Sequence, residues 1–215
     1  MNRKIVFLLV ATVLVLAACR DAGAKEGFYA GLGTAYNTIN GDFNGDGGLQ
    51  GGSEVIILPK INNAFGIDIL GGYGVNDQWA IELNLMSSGH SGSWTGLTGD
   101  VRYTSFSING KYSFASPDKI QPYLLFGISS DVLVIKKGAM DTTTGETGDA
   151  TLSGSGINLG AGIEDYLDPN VSLNMGIMYR SVKYTKATGV HQSGSITDGV
   201  NGSGVSLLLT AAYHF

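Results

Sequence analysis

Beyond Glu26 the chain is patterned with a period of two, one face of each stretch apolar and the other small or polar, as β-strands with two unlike faces require. Phe28, Ala30, Leu32, Thr34 and Tyr36 form the first apolar row, against Tyr29, Gly31, Gly33, Ala35 and Asn37. The second runs Phe65, Ile67, Ile69, Gly71 and Tyr73 against Asp68 and Gly72, and the third Trp79, Ile81, Leu83 and Leu85 against Glu82 and Asn84. The fourth sets Thr104, Phe106, Ile108, Tyr112 and Phe114 against Ser105, Ser107, Asn109 and Lys111. A fifth starts at Pro122, where a strand tolerates proline, and sets Leu124, Phe126, Ile128, Val132 and Val134 against Tyr123, Gly127, Ser129 and Asp131. Ile157, Leu159, Ala161 and Ile163 then oppose Asn158, Gly160, Gly162 and Glu164. The seventh sets Val171, Leu173, Met175, Ile177 and Tyr179 against Ser172, Asn174, Gly176 and Arg180. The eighth row, Val205, Leu207, Leu209, Ala211, Tyr213 and Phe215, ends the sequence.

Short turns near 75, 116 and 167 alternate with long Gly, Ser, Thr and Asp-rich connections at roughly 40–63, 87–102, 136–152 and 182–203. This rhythm predicts an all-β fold, an eight-stranded antiparallel up-and-down barrel, in which residues 25–215 form one domain. Alternation alone leaves the inward face open, and composition decides it. The face opposite the apolar rows is built from Gly, Ala, Ser and Asn, and the whole chain has 33 Gly and only 14% charged residues. Such a face would cover a water-soluble barrel poorly but fills a narrow lumen well. The apolar rows therefore face lipid, and the barrel is a transmembrane one. Aromatic residues fall at row ends, Phe28, Tyr73, Trp79, Tyr112, Phe114, Tyr213 and Phe215 beside the short turns and Tyr36, Phe65 and Tyr179 opposite, as interfacial girdles do. Phe126 is the exception, an outward aromatic nearer mid-row. In outer-membrane barrels the short turns are periplasmic and the long connections external.

Arg3 and Lys4 precede an apolar run from Ile5 to Leu16, too short to span a bilayer but suited to an export signal. Two processing readings stand side by side: Ala22, Gly23 and Ala24 form an ordinary cleavage site, giving a signal over 1–24, while Leu16-Ala17-Ala18-Cys19 resembles a lipoprotein box, giving a signal over 1–18 and lipid on Cys19. A net charge of -5 with scattered Lys and Arg gives no footprint for nucleic acid.

The chain resembles the eight-stranded outer-membrane proteins typified by the OmpA membrane domain and the opacity proteins. The resemblance rests on Gly27-Phe28-Tyr29-Ala30-Gly31-Leu32-Gly33, Trp79-Ala80-Ile81-Glu82-Leu83, Gln121-Pro122-Tyr123-Leu124 and the terminal Tyr213-His214-Phe215. It implies a location in the bacterial outer membrane, with membrane lipid and lipopolysaccharide as surroundings. It also implies that Tyr213 and Phe215 belong to the signal read by the barrel assembly machinery. Since the last strand is also the last element, no peptidoglycan-binding domain of the kind that follows the OmpA barrel is expected.

The lumen-facing charges are the candidate functional residues: Glu82, Lys111 and Glu164 toward the short turns, and Asp68, Asp131 and Arg180 toward the far end, paired to offset desolvation. The resemblance implies that such a network plugs the lumen. Asp42-Phe43-Asn44-Gly45-Asp46-Gly47 is similar to the start of a calcium loop, but Ser53 stands where the closing acid belongs and Glu54 is one residue late, so turn sequence is expected and no metal. His90 and Ser93 have neither the spacing nor the acid of a hydrolase site, and no catalytic residue or cofactor is expected. The expected role is non-enzymatic: envelope structure, or binding of a surface ligand through four external loops. The alternative is a narrow channel for ions or small apolar solutes, as in the OmpW group.

Overall fold

The structure, a computed structural model, describes residues 26–94, 97–114 and 120–215. The signal segment with Cys19, the start at Lys25 and the turn Ala115 to Asp118 lie outside the described residues. Twelve strands follow one another without a helix among the described residues: β1 (Gly27–Asn37), β2 (Gly47–Gly51), β3 (Glu54–Leu58), β4 (Lys60–Ile61), β5 (Ala64–Gly74), β6 (Trp79–Trp94), β7 (Leu97–Ser113), β8 (Ile120–Asp141), β9 (Thr147–Asp168), β10 (Val171–Thr188), β11 (Ser193–Asn201) and β12 (Gly204–His214).

Eight of them close a ring. β1, β5, β6, β7, β8, β9, β10 and β12 pair in that order, every pair antiparallel, and β12 returns to β1 with Ala30 opposite Tyr213. Closure leaves these strands no free backbone edge, the condition for crossing hydrocarbon. The apolar rows point outward: Phe28, Leu32, Ile67, Ile128, Ile157 and Leu207 are all more than half exposed. The opposite rows, with Asn37, Asp68, Ser107, Asn109, Asn158 and Thr210, are buried inside.

Girdle rings lean on one another at the short-turn end, with centroids 4.8 Å apart for Phe28 and Tyr73, 4.9 Å for Trp79 and Tyr112, and 5.2 Å for Tyr213 and Phe215. Phe126 belongs with them. Strand stagger sets it opposite Gly110, and its ring meets Trp79 edge-on at 6.3 Å, so the apparent mid-row aromatic completes the girdle. Tyr36 and Phe65 pair at the other end, 4.9 Å apart.

The long connections are largely strand, a correction to the loops expected from composition. β6 and β7 continue as a hairpin to Trp94 and Leu97, and β8 and β9 continue to Asp141 and Thr147. In these extensions polarity reverses while inward and outward parity is kept. On β8 the inward side chains Tyr123, Ser129 and Asp131 give way to Leu133 and Ile135; on β10 Asn174 and Arg180 give way to Val182 and Tyr184. These residues pack with Ile39, Phe43, Ile56, Leu58 and Ile61, from the connection between β1 and β5, into a core like that of a water-soluble protein. The outer half is a folded cap, closed over the barrel mouth.

Two strands change partners on entering the cap. β8 pairs with β7 up to Ile135 and with β3 from Ala139, the change falling at a bulge where Lys137 takes a left-handed conformation, φ 53°. β10 pairs with β12 up to Arg180 and with β11 from Lys183, next to a second bulge between Tyr184 and Lys186. The cap is thus a ring in the order β2, β3, β8, β9, β10, β11, and it stays open between β11 and β2.

Candidate functional site

All six lumen-facing charges singled out above are buried. At the short-turn end Lys111, from β7, sits between two carboxylates on facing walls, its Nζ 2.7 Å from Glu164 on β9 and 3.4 Å from Glu82 on β6. The remaining acceptor capacity is taken up by donors from other strands. The Tyr29 hydroxyl donates to Glu82 at 2.7 Å and the Ser172 hydroxyl to Glu164 at 2.7 Å. The ammonium also lies 4.7 Å from the ring centre of Tyr123, within reach of its π-face. This arrangement spends each charge on a partner and leaves a cleft of only about 20 Å3 beside Tyr29, Trp79 and His214, room for about one water.

Glycines make that layer possible. A Cβ on Gly72 would lie 2.2 Å from the Tyr29 ring, and one on Gly162 would lie 2.5 Å from the Tyr123 ring and 2.4 Å from the Met175 carbonyl oxygen. Five inward tyrosines, Tyr29, Tyr103, Tyr123, Tyr166 and Tyr184, fill the barrel and cap, and a search for charges alone passes over them. Their signal was present: Tyr on a face otherwise made of small residues.

The three outer charges do not gather into one cluster. Asp131 accepts from Tyr103 at 2.5 Å and from Ser129 at 2.6 Å, while Asp68 accepts from Asn84 at 2.6 Å and Thr210 at 3.1 Å. Arg180 lies against the face of Tyr103, 4.8 Å from its centre, and reaches Asn37 at 3.5 Å. Among the described residues no carboxylate comes within ion-pair distance of its guanidinium. Hydroxyl and amide donors on the same strand, the adjoining strand or the next one reach the acids first, and those from other strands could not be read from spacing along the chain.

His90 finds a serine, but a different one from Ser93. Its Nε2 is 2.8 Å from Ser88 Oγ and its Nδ1 is 2.8 Å from the Asn62 carbonyl oxygen. A carbonyl can only accept, so Nδ1 carries the hydrogen and Nε2 accepts from Ser88. Both side chains are at most 4% exposed, so this pair fastens the segment after β4 to β6 beyond reach of a substrate. At the other end Ser172 Oγ is 2.9 Å from His214 Nε2, but the nearby acid, Glu164, is bonded to the serine and does not stand behind the imidazole as an orienting group would. Asp42 accepts the Asn201 N–H and Asn44 the Asp46 N–H, so the calcium-like segment spends its oxygens on backbone, and Phe43 is buried in the cap core.

A cleft of about 250 Å3 opens in the side of the cap, between β2 and β11. Leu49, Gln50 and Gly51 line one side and Ser193 to Thr197 the other, with Glu54 at its base. The Glu54 carboxylate accepts three backbone N–H groups, from Val190, His191 and Gln192, and ties the two hairpins together below the gap.

Residues 6–215 match the family model of the outer membrane protein β-barrel domain. A 22 kDa outer membrane protein of Rhizobium leguminosarum bv. viciae is 26% identical over 194 residues, covering 89% of this chain and 79% of that protein. The fold is similar to the neisserial surface protein NspA, with a TM-score of 0.61 at 17% identity, covering 90% of this chain and all of that one. It is also similar to OprG of Pseudomonas aeruginosa, with a TM-score of 0.60 at 16% identity, covering 90% and 98%. The chain therefore belongs to the outer membrane protein β-barrel family and is an integral protein of the bacterial outer membrane.

Proposed function

We propose that this protein is a non-enzymatic, sealed barrel whose work is done outside the membrane, as an envelope protein presenting a folded cap to surface partners. The observation that carries this reading is the apolar core over the mouth. Val101, Leu133, Ile135, Leu152 and Tyr184 are each at most 1% exposed and block the axis beyond the polar layers. A channel for ions or small solutes would need a continuous wet path, and Lys111 with its two carboxylates adds a second obstruction at the periplasmic end.

Lipopolysaccharide is the proposed lipid partner of the outer rim, since Arg102, Lys183 and Lys186 are exposed on the strand extensions beyond the band marked by Tyr36, Phe65 and Tyr179, where cations would meet anionic headgroups. Tyr213 and Phe215, both exposed on the lipid side, are the proposed contacts for the barrel assembly machinery. The test of the sealed lumen is flux. Liposomes containing purified protein should release potassium and small sugars no faster than protein-free liposomes, and Lys111→Ala and Arg180→Ala should leave single-channel conductance at the same baseline. Selective flux through the wild-type barrel would replace this reading with the narrow channel.

A further inference from the structure

The cations of the outer rim are not spread evenly. Lys183 and Lys186 stand exposed on β10, four and seven residues beyond the girdle residue Tyr179. At about 3.3 Å per residue and a strand tilt of about 40°, Lys183 lies about 10 Å above that girdle, at the level of lipid headgroups. Strand pairing sets hydroxyls beside both: Lys183 is opposite Ser155 on β9, which is opposite Ser130 on β8, and Lys186 is opposite Ser153. One row below, Ser181, Ile157 and Ile128 align in the same way, so the hydroxyl patch passes directly into the apolar band. Among the described residues neither ammonium has a carboxylate within ion-pair distance. The Lys183 stem lies along bare Gly199 of β11, and the neighbouring Asp198 is exposed without pairing to either lysine. Elsewhere on the rim the cations have acids beside them: Arg102 shares its strand face with Asp100, two residues away, and Lys136 is paired with Asp149.

We propose that this wall, β8 to β10, is a binding site for the phosphate group of an outer-leaflet glycolipid. The proposal rests on the lipopolysaccharide reading above and narrows the rim to one site with a stated headgroup chemistry. Three features select such an occupant. The two ammonium groups are unspent, and cations at a membrane surface attract anionic headgroups. Phosphate oxygens only accept hydrogen bonds, and the patch offers donors to match, ammonium N–H from Lys183 and Lys186 and hydroxyls from Ser130, Ser153 and Ser155. The apolar band continues beneath it, with Ile128 and Ile157 more than half exposed, so a lipid bound there lays its acyl chains on the barrel while its phosphate meets the lysines. A soluble anion has no such second hold, and its attraction to two exposed cations is screened at physiological salt.

The test is native mass spectrometry of the full barrel released from detergent micelles, titrated with diphosphorylated lipid A and, as control, with the same lipid after enzymatic removal of both phosphates. The phosphorylated lipid should bind at least ten-fold more tightly than the control, and an equal concentration of inorganic phosphate should displace less than a tenth of it. The double variant Lys183→Gln, Lys186→Gln should weaken binding at least ten-fold and Ser155→Ala at least two-fold, while Arg102→Gln should change it less than two-fold. All these side chains but Ser153 are exposed and none faces the lumen, and amide protection of β1 and β12 checks that the barrel stays closed in each variant. No binding, equal binding of the dephosphorylated lipid, displacement by inorganic phosphate, or a loss in Arg102→Gln as large as in the double variant would each overturn the proposal. Phosphate-dependent binding that survives in the double variant would overturn this site and leave the lipopolysaccharide reading standing. The liposome flux measurement is independent of all these outcomes.

Discussion

Replacing Lys111 by methionine should destabilise the barrel by about 3–5 kcal/mol, because it leaves Glu82 and Glu164 buried without their shared cation. At an effective dielectric of about 20, contacts of 2.7 and 3.4 Å correspond to attractions of about 6 and 5 kcal/mol, before the desolvation of three charges is subtracted. What the single substitution exposes is mostly the cost of the stranded acids. The triple variant Glu82→Gln, Lys111→Met, Glu164→Gln, with no charge left in the layer, should therefore recover most of the loss. Urea unfolding in phospholipid vesicles, followed by fluorescence of Trp79 and Trp94, measures both differences. A single variant within about 1 kcal/mol of wild type, or a triple variant no more stable than the single one, would refute the reasoning.

Three further outcomes follow from other levels of the structure. Leu152→Ala empties a fully buried position of the cap core and should cost about 2–5 kcal/mol, read as lowered protease resistance of the cap while the membrane strands remain protected. Ile128→Arg places a cation on the lipid face at a position 64% exposed and should destabilise by about 2–4 kcal/mol in the same urea assay, whereas Ser129→Ala on the inner face of that strand should cost less. Asp149, in the cap, has its carboxyl held below the usual range, first by the hydrogen bond from Lys136 and then by the Lys137 N–H. A depressed carboxylate contributes stability above the unfolded value of about 3.9 and loses it as pH falls through the folded value, so protection of the Lys137 amide should begin to drop below about pH 5, keep falling through the depressed value below 3.8, and show no such drop in Asp149→Asn. An unchanged protection factor in the wild type over that interval would count against the pairing.

The membrane half was legible because lipid and lumen impose opposite demands on alternate residues. Rows such as Ile67-Ile69 against Asp68, or Leu207-Leu209 against Thr210, admit one orientation. The cap was not legible by the same rule. Once the strands leave lipid the inward face turns apolar, so Leu133 and Ile135 end the alternation beside the outward Val132 and Val134, and the polar extension at 136–152 reads as loop. The six lumen charges were legible from parity alone. Their partners were not, since Tyr103 with Asp131 and Asn84 with Asp68 depend on strand stagger and on donors with no formal charge. Ser88 was missed beside His90 because residues two apart share a strand face, while attention to the loop favoured the serine three positions later.

The reversal of polarity at constant parity makes alignment errors between strands unusually costly. A slip of one residue turns a strand's side chains to the opposite face. In β8 it would bring Ser129 and Asp131 to the acyl chains and, in the same motion, Leu133 and Ile135 to water. Two solvents thus proofread one register, the bilayer below and the aqueous phase above, and neither half can be relieved at the expense of the other. A single residue inserted between Asp131 and Leu133 would set the two halves out of phase, leaving each correctly patterned and the strand as a whole unable to satisfy both media.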